Sequence, residues 1–136
     1  MRNVVPCGRM RWMLGDNLGH GVQLFNRADF FDAHEALEDV WRAAPEPEKK
    51  FLQGLIQVAV ALHHHGNGNL VGARSVLKRA FRNLSRYPED FGGIHLASLL
   101  NSISDWQQAL DEGTRVPPLP KIVSHHPSVV KKTLGC

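Results

Sequence analysis

Cysteine is nearly absent from this chain. Of 136 residues, only Cys7 and Cys136 are cysteines, one near each end. No Cys-x-x-Cys pair exists, which excludes a thiolate zinc site. Their spacing supports no disulfide, so the expectation is two free thiols in a reducing compartment. Long apolar runs are also missing, and none approaches the roughly 20 residues needed to span a bilayer. Met1–Leu14 is basic but lacks an apolar stretch followed by small residues, so no signal peptide is expected. A soluble, cytoplasmic protein without a membrane partner follows. Aromatics make up only 7% and there is a single tyrosine, Tyr87. That leaves little to stack on nucleic-acid bases. No Gly-x-Ser-x-Gly elbow is present. Gly66-Asn67-Gly68 lacks the Gly-Lys-Ser/Thr end of a phosphate loop. No Glu-x-x-His pair exists, so the usual pattern of a di-iron bundle is missing.

What is present fits one domain with a real core. The chain is 43% hydrophobic and 21% charged, with a net charge of +3. The charge is unevenly distributed. Seven acids lie between Asp29 and Glu48, whereas Arg74–Arg86 holds five bases and no acid. Arg115, Lys121, Lys131 and Lys132 follow Glu112 with no acid among them. Such asymmetry marks either a phosphate-binding face or helices of opposite charge that pair with one another.

Helical periodicity dominates. A short helix is expected around Leu18–Arg27, weakened by Gly19 and Gly21. A second begins after Asp29, a candidate N-cap, and sets Phe30, Ala33, Leu37, Val40 and Trp41 on one face. Pro45 and Pro47 end it. A third spans about Glu48–His65 and is apolar around most of its circumference, which predicts burial. Gln53, Gln57 and His64 nevertheless form a narrow polar stripe along it. Asn69 caps a fourth helix, about Leu70–Arg86, whose Leu70, Ala73, Leu77, Ala80, Phe81 and Leu84 face inward. A fifth covers about Ile94–Asp111. Ile122-Val123 and Val129-Val130 are short β-branched spots without a strand pattern.

An echo at an offset of 40 residues matches Asp29 with Asn69, Phe30 with Leu70, Ala33 with Ala73, Leu37 with Leu77 and Trp41 with Phe81. The predicted fold is all-α, with about five helices in two antiparallel hairpins plus a closing helix. Residues 1–16 form a basic flexible lead, 17–112 the helical domain and 113–136 a proline-rich basic tail. The predicted core is Phe30, Leu37, Trp41, Phe51, Leu55, Val58, Leu62, Leu77, Phe81, Leu99, Ile103 and Trp106.

The densest polar cluster is on the second helix. His34, Glu38 and Trp41 are spaced by four and three and stack along one side. His34 falls at the edge of the apolar arc, so a histidine and a carboxylate are expected to enter the core together. Gln53, Gln57, His63 and His64 are their candidate partners. Three functions compete for this cluster. It is a polar network that fixes packing, an acid/base pair in a small-molecule pocket, or a metal site built on His34, Glu38 and His64. Histidines in the last turn of a helix also interact favourably with its dipole, which accounts for His63–His65 without ligation. His125-His126 carries no pairing logic. The Arg74–Arg86 face is expected to be solvated or paired with acids of the second helix, and nucleic acid is disfavoured as its partner. The apolar third helix leaves a homo-oligomer open.

Several motifs in order resemble the bacterial and archaeal domain-of-unknown-function family 309. They are Phe25-Asn26, Phe30-Phe31-Asp32-Ala33-His34-Glu35, Leu37-Glu38 and Trp41, then Phe51–Gln57, His63, Gly68-Asn69 and Gly72-Ala73. Pro88, Gly93-Ile94 and Pro117–Ile122 extend the resemblance over about residues 20–122. It implies a small all-α protein and singles out His34, Glu38, Trp41, Gln53 and Gln57, but it supplies no reaction or cofactor. Members commonly have glycine in the turn after Phe25-Asn26, where this chain has Ala28; the expected cost is small. The leading expectation is a non-catalytic binding or scaffold module with a protein or small-molecule partner.

Overall fold

The computed structural model describes residues 16–124. The expectations for Cys7, Cys136, His125-His126, Val129-Val130 and Lys131-Lys132 lie outside that range. Five α-helices follow one another: α1 (Asp16–Asn26), α2 (Phe30–Ala43), α3 (Glu46–Gly66), α4 (Leu70–Leu84) and α5 (Leu96–Glu112). Phe91–Gly93 form a single 3-10 turn before α5. Each helix packs on its neighbours in sequence: α1 on α2, α2 on α3, α3 on α4 and α4 on α5. The all-α expectation holds. Among the described residues the only β pairing is one antiparallel bridge between Ile94 and Ser124.

Local chemistry sets the boundaries. Asn69 caps α4 as expected, its side chain accepting from the Gly72 N–H at 2.9 Å. Asp29 takes the matching position before α2, but its side chain makes no cap bond. Its carboxylate lies instead 3.7 Å from the Arg27 guanidinium. Gly113 closes α5 in the left-handed region, φ 70°. Ala28, in the α1–α2 turn, also has positive φ, 67°. A Cβ there clashes with its own backbone, at a cost of about 1–2 kcal/mol. The substitution at this position is therefore more expensive than the sequence suggested.

α3 is the central element. Phe51, Leu52, Leu55, Val58 and Ala59 are fully buried, consistent with its apolar circumference. Two close approaches join the helices. A Cβ on Gly54 would lie 2.6 Å from Leu84 Cγ, and one on Gly21 would lie 2.7 Å from Leu37 Cδ2. Gly21 thus serves contact between α1 and α2, beyond weakening a turn. Of the predicted core, Trp41 and Phe81 are only half-buried, and the remainder is buried. Leu70, placed inward by periodicity, is the first residue of α4 and is 50% exposed.

The extended segment after Gly113 returns to the helices. Trp106 Nε1 donates to the Pro118 carbonyl at 3.0 Å. The Asn26 side chain then pairs with the backbone of Ile122 in both directions. Its Nδ2 donates to the Ile122 carbonyl at 2.9 Å and its Oδ1 accepts from the Ile122 N–H at 2.8 Å. Lys121 Nζ adds a bond to the Asn26 carbonyl at 2.9 Å, and Ile122 is buried.

Candidate functional site

The side chains expected to cluster divide into separate groups. On α2, His34 Nε2 lies 3.2 Å from Glu38 Oε2, one helical turn away. The two side chains are 25% and 38% exposed, so the pair sits at the surface and not in the core, as the sequence had suggested. Glu38 also meets Arg42 at 3.5 Å, and Arg42 reaches Asp39 at 2.6 Å. Phe31, 51% exposed, joins this pair to α3. Its ring centroid lies 5.9 Å from that of His34 and 5.6 Å from that of His63. Phe31, His34, Glu38 and His63 therefore form one open patch.

The other candidates have structural partners. Gln57 Oε1 accepts from Asn83 Nδ2 on α4 at 2.9 Å. That bond satisfies the amide of a buried asparagine, the kind of group that is costly to leave unpaired. His63 Nε2 contacts Asn67 Nδ2 at 3.2 Å, and His64 Nδ1 contacts Asn69 Nδ2 at 3.4 Å. These bonds tie the end of α3 to the turn and the cap that follow it. His65 packs edge-on against Trp106. Gln53 is half-buried on the open stripe of α3. Trp41 carries Lys49 over its ring, with Nζ 4.3 Å from the centroid, and the same ammonium donates to the Trp41 carbonyl at 2.7 Å. The Trp41 indole N–H is buried without an acceptor among the described residues. No group of three or more His, Cys, Asp or Glu side chains is placed to hold a metal ion among the described residues. The set of His34, Glu38 and His64 is thus not assembled in this geometry.

Tyr87 is the residue that the sequence undervalued. Its hydroxyl accepts from the Phe51 N–H at 3.1 Å and donates to the Pro47 carbonyl at 3.0 Å, linking two groups of the first two turns of α3. Its ring packs against Phe51 and Phe91. Burial raises the pKa of this phenol above its usual value, against a smaller lowering by the Phe51 N–H. A ring held this way is not a free platform for bases. The only local hint was an aromatic directly before Pro88, which says nothing about a helix 36 residues away. On α4, Arg74 pairs with Asp111 of α5 at 2.9 Å, so the acid it meets is not on α2. A depression lined by Glu89, Asp90, His95 and Ala97 includes none of the candidate residues.

Residues 18–76 match the model of DUF309, a domain of unknown function. The matched DUF309 segment runs from α1 into the first half of α4 and so contains the whole open patch. An uncharacterized protein of Aquifex aeolicus is 40% identical over 104 residues, covering 72% of this chain and 31% of the relative. The uncharacterized protein YpuF of Bacillus subtilis is 36% identical over 88 residues, covering 60% of this chain and 51% of the relative. This chain thus spans only part of the length of both relatives. No helix of the described residues is long and apolar enough to cross a membrane.

Proposed function

We propose that this chain is a non-catalytic binding or scaffold module of the cytoplasm. Its docking surface is the open patch of Phe31, His34, Glu38 and His63. One observation carries the reading: an aromatic ring 51% open to solvent lies between two histidines on different helices. Gln57, His64 and Tyr87 are bonded to Asn83, Asn69 and the start of α3, whereas Phe31 turns half its surface to solvent. An exposed aromatic flanked by hydrogen-bonding groups suits an anchor in a partner's pocket. Chemistry that must exclude water is poorly served by so open a pair.

The test compares affinity capture by the wild type with capture by Phe31→Ser, followed by reconstitution with the purified partner. The expected result is a stoichiometric partner that the wild type retains and Phe31→Ser loses while keeping its helical circular dichroism. Equal retention by both proteins would refute the assignment of the surface.

A second reading rests on the 3.2 Å contact between His34 and Glu38. That pair has the composition of a general acid/base couple or of two ligands to a metal. It predicts a bound metal or small molecule that disappears with His34→Ala.

A further inference from the structure

We infer that a second copy of this chain docks across α2 and α4, with the acids of α2 facing the bases of α4 in the partner. Both helices pack on α3. Asp32, Glu35 and Asp39 are exposed on α2; Lys78, Arg79 and Arg82 are exposed on α4, which contains no acid. Each helix stacks like charges one turn apart: Glu35 over Asp39 on α2, and Lys78 over Arg82 on α4. Like charges at this spacing destabilise a helix. The chain relieves little of this strain internally. Asp39 meets Arg42, and Arg74 meets Asp111, but Glu35, Lys78 and Arg82 make no hydrogen bond or ion pair among the described residues.

The two faces are opposite in sign and carried by helices that share one neighbour. In the proposed dimer a two-fold axis sets α2 against α4 of the partner twice, in a closed, isologous contact. The helix α3, on which Gln53, Gln57, Val60 and His64 are half-buried, packs on both of them. A polyanion such as duplex DNA fits less well. It would meet the acids of α2 as well as the bases of α4, and Tyr87 is engaged in packing.

The experiment is sedimentation velocity on the full chain at about 20 mM and about 500 mM salt, since surface charge pairing is screened within a few ångströms at high ionic strength. The wild type is expected to be dimeric at low salt and monomeric at high salt. Glu35→Lys/Asp39→Lys and Lys78→Glu/Arg82→Glu are each expected to be monomeric at low salt. An equimolar mixture of the two restores both contacts and is expected to sediment as a heterodimer. A wild type that stays monomeric at low salt, whether or not it binds duplex DNA, overturns the inference. A dimer that survives both charge reversals overturns it as well. The salt dependence of the wild type decides the matter even where a variant fails to fold.

Discussion

The Gly54→Ala substitution tests the packing of α3 against α4. Alanine is the better helix former, and in an open helix interior it gains about 1 kcal/mol over glycine. At position 54 the added methyl would sit 2.6 Å from Leu84 Cγ and 2.7 Å from Leu84 Cδ2. Leu84 is 0% exposed, so it has no free space to retreat into. Overpacking of a tight core costs about 1–3 kcal/mol. A 2.6 Å approach is closer than real Cβ atoms come, so a steric cost of about 2–3 kcal/mol applies and is expected to win, for a net loss of about 1–2 kcal/mol. Urea unfolding followed by circular dichroism reads this as a midpoint lowered by about 0.5–1 M, given the urea slope of a domain this size. Gly19→Ala is the control, because nothing lies within 4 Å of its would-be Cβ. The same change there is expected to raise stability by up to about 1 kcal/mol. A Gly54→Ala protein as stable as the wild type, or a destabilised Gly19→Ala, would refute the reasoning.

Three further outcomes are expected. Ala28→Gly relieves the positive φ and is expected to raise the melting temperature, by about 1 kcal/mol of stability; an unchanged or lower value contradicts the strain. Tyr87→Phe removes the hydroxyl between Pro47 and Phe51 and is expected to cost about 1–2 kcal/mol in chemical denaturation. Because burial holds the phenol pKa above its unfolded value of 10.0, its contribution is complete below that pH and is lost as pH rises through the folded value. Alkaline melting curves should therefore fall more steeply for the wild type than for Tyr87→Phe. His34→Ala is expected to cost only about 0.5 kcal/mol, because its partner is a half-exposed carboxylate one turn away; a loss of several kcal/mol would restore the buried network.

The helices were legible because periodicity is local. The apolar circumference of α3 and the cap at Asn69 were both visible as patterns within a few residues. The echo placed Ala33, Leu37, Ala73 and Leu77 in the core, where they are fully buried. It failed at Leu70, the first residue of α4, which is 50% exposed. The helix α5 starts at Leu96, two residues later than its periodicity suggests, for a different reason. Ile94 belongs to the bridge with Ser124, and the His95 N–H donates to the Val123 carbonyl at 2.8 Å. That pairing joins segments far apart in the chain, as does the bond between Asn26 and Ile122 across 96 residues. No local rule encodes either contact.

The candidate site was legible in composition but not in depth. The spacing of His34 and Glu38 put them on one side of α2, and they do meet. Spacing along α2 does not say how far α3 covers that edge, so it overestimates their burial. Nor does spacing show which way each member of the Gln53–His64 stripe turns. Gln57 turns to α4, His64 to the following cap, and His63 to Phe31.

The most direct measurement is elemental mass spectrometry of the tag-free full chain, wild type and His34→Ala in parallel. If Phe31, His34, Glu38 and His63 form a docking surface, neither protein carries stoichiometric metal. Near-stoichiometric zinc, iron or manganese in the wild type, lost in His34→Ala, would contradict the account and make His34 and Glu38 a metal site.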